Sequence, residues 1–318
     1  MSRPVASCFA LVVALGSGWL PLAALADDPP KAPAAPTPAT PAPAAPATGE
    51  KYELKYQFKP GEALRWKVEH RAKVRTTISG TTQTAETESF SEKVWRVKAV
   101  DAQGVVTFQH SVDIVQMRQK LTGRQEETYD SSKDTVPPAA FQDVAKNVGV
   151  PLSEIKMDAL GKVLHRENFR PQPTDGQLTI PLPAEPVPVG HTWSVPLELD
   201  IKLDSGVVKK IKTRQQYKLE DVKTGVAKIS LETVILSPVR DPVIEAQLIQ
   251  RETSGSIRFD IDAGRVLSQQ MDLNKQVNGF RGETSLMHYE TRFSETLLPA
   301  SAKVARPSKP AGPPAFKR

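Results

Sequence analysis

The residue types that most often carry chemistry are sparse in this 318-residue chain and do not form a metal motif. Zinc sites draw on histidines and cysteines at short, fixed spacings along the chain. The single cysteine is Cys8, and no two histidines stand close together in sequence. The five histidines are His70, His110, His165, His191 and His288. The sequence therefore predicts neither a metal site nor a cofactor.

Motifs for covalent catalysis and for phosphate or calcium binding are incomplete. Ser254-Gly-Ser256 lacks the Gly-x-Ser-x-Gly frame of a nucleophile elbow, and Gly161-Lys162 lacks the earlier glycine of a P-loop. Asp260-Ile-Asp262-Ala-Gly264 begins like a calcium loop but has no later acidic ligand, so the pattern favours a hairpin turn. A hydrolase using dispersed carboxylates such as Asp113 and Glu154 stays open, although no motif supports it.

Aromatic side chains are the remaining candidates for a binding site. The predicted strands place two tryptophans and a histidine in one row, with Tyr217 and a third tryptophan as later counterparts. Core packing is the favoured interpretation, because tryptophan readily fills the core of a sheet protein. The alternative is the wall of an apolar cavity, covered by a helix. The candidate ligand-binding residues are Trp66, Trp95, His110, Phe141 and Trp193.

Apolar and polar residues alternate along the segments that carry these side chains, which is typical of half-buried antiparallel strands. A two-residue turn at Gly80-Thr81 predicts that Trp66 lies opposite Trp95 on the next strand. A second turn, ending at Gly104, then places Trp95 beside His110. The positions of these turns decide which aromatic side chains meet.

Three landmarks recur in the same order, and they predict a duplicated β unit. Chance similarity between hairpins is the alternative. The first unit is predicted over residues 51–168 and the second over 189–300, joined by a proline-rich crossover at 169–188. The paired landmarks are 60–66 with 189–193, 95–104 with 217–225, and 157–164 with 261–267.

The sequence thus predicts an all-β protein: antiparallel meander sheets in two related units that form a sandwich or half-barrel. One short helix is expected near 138–148 of the first unit. Pro138 stands at its start and Gly149 at its end, as helix punctuation requires. A weaker helical pattern runs from Pro242 to Gln250.

The two ends of the chain have compositions unlike the body. Residues 1–26 combine an early arginine, an apolar run and an Ala-Leu-Ala site, which is typical of a secretory signal peptide. We expect cleavage between Ala26 and Asp27, export to the periplasm or beyond, and no transmembrane segment afterwards. The Ala/Pro-rich residues 27–50 and the basic residues 301–318 are predicted to be a disordered linker and tail.

The net charge of +6 belongs to these ends, because the body carries nearly equal numbers of acidic and basic residues. No nucleic-acid partner is predicted.

Two sets of residues resemble known secreted proteins. The segment Leu182–Trp193 and the Asp/Gly/Val-Leu turns at 158–164 and 262–267 resemble uncharacterised secreted β-rich proteins of planctomycete-type bacteria, which have no established activity. A signal peptide followed by a meander with a helix across it is also similar to the half-barrel lipoprotein carriers of the bacterial envelope. That second resemblance concerns architecture, which is a weak guide to function.

The predicted function is non-enzymatic binding in the periplasm or outside the cell, with an apolar or lipid-like ligand or a cell-envelope component as partner. A structural or partner-binding envelope protein is one alternative, and a hydrolase of an envelope polymer is another. A polar pocket would favour the enzyme, an apolar cavity the carrier, and a filled core the scaffold.

Overall fold

The computed structural model describes residues 49–170, 179–203, 206–249 and 251–299. Strands dominate these ranges, and every ladder between them is antiparallel, so the predicted all-β class is confirmed. The predicted signal peptide, almost all of the linker and the basic tail lie outside the described residues. Part of the predicted crossover lies outside them as well.

Seven strands belong to the N-terminal half. They are β1 (Lys51–Tyr52), β2 (Ala63–Ile78), β3 (Thr81–Val100), β4 (Val106–Leu121), β5 (Glu127–Asp130), β6 (Pro151–Met157) and β7 (Val163–Asn168). Seven more follow in the C-terminal half. They are β8 (Val187–Pro188), β9 (Thr192–Lys202), β10 (Val208–Lys223), β11 (Val226–Ile235), β12 (Ser254–Asp260), β13 (Arg265–Asn278) and β14 (Leu286–Leu297).

Twelve of these strands form one continuous sheet in the order β7-β6-β4-β3-β2-β14-β13-β12-β11-β10-β9, with β5 attached to β4. The sheet contains two meanders, β2-β3-β4-β6-β7 and β9-β10-β11-β12-β13, joined through β14. Strands β4 and β11, which follow the turns at Gly104 and Gly225, are each third in their meander. Duplication of one unit, and its boundaries, stay predictions.

The sheet curves until its two halves face each other as in a sandwich. One buried core joins Trp66 and Phe108 of the first meander to Tyr217, Ile229 and Phe259 of the second. Long strands twist, and bulges increase that twist locally. The described ladders contain six register shifts, among them those at Glu92/Lys93, Leu219/Asp221 and Arg258/Phe259.

An extended segment, Glu53–Phe58, lies between the two halves and binds both. The Tyr56 amide donates to the carbonyl of Ala159 at 2.8 Å, in the β6–β7 turn, and the Gln57 amide donates to the carbonyl of Gly264 at 3.0 Å, in the β12–β13 turn. The Tyr56 ring also meets Phe259 edge-on, with ring centroids 5.5 Å apart. We call this segment the bridging segment.

The turn between β2 and β3 differs from the prediction. Its central residues are Ser79-Gly80, because Ile78 pairs with Thr81. Both have positive φ, 49° and 76°, as the hairpin turn that matches strand twist requires. The partners therefore shift by two residues, and Trp66 lies opposite Lys93 rather than opposite Trp95. The predicted pairing of Trp95 with His110 is confirmed.

The predicted helix near 138–148 is present but short. A 3-10 turn at Ala139–Phe141 leads into α1 (Gln142–Ala145). The weaker helical pattern corresponds to α2 (Pro242–Leu248). The Asp241 carboxylate caps its first turn by accepting a hydrogen bond from the Val243 amide at 2.9 Å. Among the described residues, no helix has the length and apolar character to cross a bilayer.

The β6–β7 turn packs so closely against Ile180 and the Tyr56 ring of the bridging segment that no space is left for a side chain at Gly161. A Cβ there would lie 2.5 Å from the Ile180 carbonyl oxygen and 2.8 Å from the Tyr56 ring. Gly80 is the matched control, since its φ is also positive but its surroundings are open.

We expect Gly80→Ala to lower the free energy of unfolding by about 1 to 2 kcal/mol through backbone strain alone. Gly161→Ala should lower it by about 1 to 3 kcal/mol more, through the added clash. Urea unfolding of both variants measures the difference. Equal losses would show that the bridging segment is not held tightly against this turn.

Candidate functional site

A cavity of about 820 Å³ lies between the two facing halves of the sheet. More than half of the side chains in its wall are apolar or aromatic, and they come from both meanders. Examples are Val68, Val112 and Leu152 from the first half and Val195, Leu231 and Met271 from the second. Its volume is within the range of small-molecule sites. The core is therefore not completely filled by the protein's own side chains.

Strand alternation explains why the wall is mainly apolar. On β2, Trp66, Val68 and His70 point into the cavity. The charged residues that alternate with the inward positions of β2 point outward, where some of them pair with opposite charges on β3. One such pair is Lys73 with Glu86, at 3.0 Å. The period of two thus separates an apolar inner face from a solvated, charge-paired outer face.

Three of the five candidate residues lie in the cavity wall: Trp66, Trp95 and His110. The two tryptophan rings are 4.8 Å apart between centroids. They are diagonal neighbours on β2 and β3, because Trp95 itself lies opposite Leu64. The predicted row of aromatic side chains therefore exists, with its first member displaced along the strand.

Trp193 and Phe141 lie outside the cavity wall. Trp193 stacks on Tyr217 at 5.6 Å, and its indole N–H donates to the carbonyl of Pro181 at 2.8 Å. Phe141 is buried against Tyr129 at 6.3 Å between ring centroids, in a separate cluster. The segment around α1 still reaches the wall, through Val144, Asn147 and Val148.

A buried ion pair interrupts the apolar wall. The Lys93 ammonium binds the Glu295 carboxylate, and their side chains are 12% and 5% exposed. Lys93 also lies over the rings of Trp66 and Trp95, 4.7 Å and 5.0 Å from their centroids. Gln269 donates to the other Glu295 oxygen at 2.9 Å. Burying two charges is costly, so such pairs need this additional support.

The sequence analysis did not identify this pair. The two residues are 202 positions apart, and they meet only because β14 pairs with β2 beside β3. The one available signal was the alternation on β3, which places Lys93 on the same face as Trp95.

His110 is buried beside Lys93, and its imidazole is held neutral. Burial, together with the positive charges of Lys93 and Arg166, lowers the pKa of His110 to about 3. Its Nδ1 atom has no hydrogen-bond partner in the structure. An unpaired buried polar atom of this kind is uncommon in folded proteins.

Neither carboxylate of the enzyme hypothesis lies in the cavity wall. Asp113 is bound by Arg96 at 2.6 Å and by the Ser111 hydroxyl at 2.8 Å. Glu154 pairs across the sheet with Gln109 and Glu167. Within the described ranges, no three His, Cys, Asp or Glu side chains form a set that could hold a metal ion.

Comparisons with known proteins give no family. No protein-family model matches the chain, and no curated protein matches it. Two solved structures are similar over most of its length. One, described as lipid-protein interactions in lipovitellin, has a TM-score of 0.46 and 14% identity, and the match covers 79% of this chain. The other is DynF from the dynemicin biosynthesis pathway of Micromonospora chersina, with a TM-score of 0.21, 6% identity and 83% coverage.

The chain spans 27% of the lipovitellin chain and 92% of the DynF chain. At these TM-scores neither similarity supports an inference about function. The resemblance to secreted planctomycete-type proteins stays a prediction.

Protonation of His110 should destabilise the fold as the pH falls. Its pKa is about 3 in the folded state against 6.5 for an ordinary histidine, so the unfolded chain binds more protons between these values. The stability from neutral His110 is fully present above the ordinary pKa. As the pH falls toward the pKa of the folded state, this stability is lost by up to about 1.4 kcal/mol per pH unit.

Urea unfolding of His110→Gln and wild type, from neutral pH down to about pH 4, measures this contribution. The variant should lose less stability over that interval than wild type does. The exposed His165→Gln is carried through the same series as a control. Identical pH dependence in wild type and His110→Gln would contradict the buried, neutral assignment.

Proposed function

We propose that this protein binds one apolar, lipid-like molecule in the cavity between the halves of its sheet, without catalysing a reaction on it. The observation that carries the proposal is the cavity itself. About 820 Å³ of space is lined by side chains that are mainly apolar. An apolar molecule that leaves water for this space gains about 25 cal/mol for each Å² of surface that it buries.

The construction of the wall supports binding by a preformed site. The wall residues of β2, β3 and β14 belong to strands paired over most of their length. A wall already ordered before binding loses little conformational entropy when a ligand enters. Trp66, Trp95 and Phe293 supply large aromatic surfaces on these strands.

The position of the carboxylates supports binding over hydrolysis. A general acid or base must reach within hydrogen-bond distance of its substrate. Asp113 and Glu154 are absent from the wall, and Asp113 is already bound to Arg96 and Ser111. Glu295, a buried carboxylate of the wall, already binds Lys93 and Gln269.

Export belongs to the same proposal. Residues 1–26 have the composition of a signal peptide, and a protein that shields an apolar molecule from water serves as its carrier across an aqueous compartment. The proposed place of action is therefore the periplasm or the cell exterior.

The test is to fill the cavity from within. Ser91 lines it between Val68 and Val115, so Ser91→Phe should occupy ligand space. Ser256→Phe is the matched control, because Ser256 on β12 lies outside the cavity wall and alternates with the buried Ile257. Uptake of the neutral dye N-phenylnaphthylamine is followed by its fluorescence.

We expect Ser91→Phe to weaken dye binding by about tenfold or more, which corresponds to about 1.4 kcal/mol. Ser256→Phe should bind the dye as wild type does. Failure of the wild-type protein to bind the dye, or equal binding by all three proteins, would overturn the proposal.

A further inference from the structure

Three adjacent inward positions carry buried polar atoms that have no partner. Trp95 on β3 lies opposite His110 on β4, which lies opposite Ser153 on β6. The unpaired atoms are Trp95 Nε1, His110 Nδ1 and Ser153 Oγ. The three residues are only 3%, 6% and 0% exposed. We call this set the polar row.

Leaving such an atom unpaired costs about 1 to 3 kcal/mol, so three in one row lower the stability of the fold substantially. The other unpaired atoms in the described part of the chain belong to residues outside the cavity wall. They are Thr87 Oγ1, Glu92 Oε2 and Arg214 Nε.

Other buried polar side chains in the wall have hydrogen-bond partners. The Trp66 indole N–H donates to the carbonyl of Val266 at 3.3 Å, and His70 Nε2 lies 2.9 Å from the Thr291 hydroxyl. Among the described wall residues, Trp95 and His110 are therefore the two with a buried side-chain nitrogen or oxygen that has no partner. Trp95 and His110, the two members that line the cavity, mark where a ligand could supply the missing partners.

The charges around the polar row balance locally. Lys93 brings a positive charge beside Trp95, and the Glu295 carboxylate neutralises it. An incoming anion would have to approach Glu295 as well as Lys93, and like charges in a buried site repel strongly. Arg166, the other cation whose charge acts on His110, lies outside the cavity wall.

We propose that the polar row binds the head of the ligand, and that this head is an uncharged oxygen group such as a hydroxyl or an ester carbonyl. The inference rests on the proposed function. The Trp95 indole can only donate a hydrogen bond, whereas neutral His110 and Ser153 can donate or accept. A hydroxyl can accept from Trp95 and donate to His110, and an ester carbonyl can accept from Trp95.

Replacing Trp95 by Phe tests the head site, because it removes the unpaired N–H and keeps an aromatic ring. Trp66→Phe is the matched control, since the Trp66 N–H already binds Val266. Decanol, methyl decanoate, decanoate and decane are compared as competitors of N-phenylnaphthylamine. They share a ten-carbon chain and differ in the head.

In wild type we expect decanol and methyl decanoate to bind more tightly than decanoate. Trp95→Phe should weaken the two uncharged oxygen compounds by about five- to tenfold relative to decane, as expected for the loss of one hydrogen bond. Trp66→Phe should not change the ratio of decanol to decane. A larger loss for decanol than for the ester would identify a hydroxyl head, and the reverse an ester.

If the Trp95→Phe variant does not fold, a second measurement on the wild-type protein tests the head site. The indole N–H resonance of Trp95 in nitrogen-15 labelled wild type should shift on addition of decanol but not of decane. Equal affinity of decanoate and decanol, or no response of Trp95 in either experiment, would overturn the head site while leaving the proposed function standing. Failure of every probe to bind would instead remove the proposed function.

Discussion

The bridging segment binds both halves of the sheet, and the cavity lies between those halves. Its backbone donates from Tyr56 to the β6–β7 turn and from Gln57 to the β12–β13 turn, so one short peptide binds both meanders. The Tyr56 ring of the bridging segment lies so close to Gly161 that a Cβ there would be 2.8 Å from it. The meanders are also joined through β14 at the middle of the sheet and through the shared core, and the bridging segment adds a link between their β6–β7 and β12–β13 turns.

Stability and binding make different demands on the inner face. Apolar side chains such as Phe108, Ile229 and Phe259 are sufficient to fill the core. The Lys93–Glu295 pair and the polar row add charges and unpaired atoms that cost stability instead of providing it. Departures from good packing are expected where a protein has a function to perform. The ion pair, Trp95 and His110 all lie in the cavity wall, which is the physical reason for assigning this part of the molecule to ligand binding.

Local sequence patterns predicted the strands and part of the site. Alternation gave the antiparallel class, the Trp95–His110 pair and three wall residues, because a period of two fixes which side chains share a face. The β2–β3 turn was misplaced by one residue because both of its central residues adopt positive φ, and only one of them is glycine. Glu295 was missed because its pairing with Lys93 is a long-range contact. The unit boundaries and the duplication stay predictions.

Native mass spectrometry of the protein, purified without detergent from the cells that make it, tests the central claim most directly. The account predicts a population carrying one small molecule per chain, which solvent extraction identifies as an uncharged amphiphile. A protein that leaves its cells without any bound molecule, and that takes up none when incubated with a total lipid extract, would contradict it.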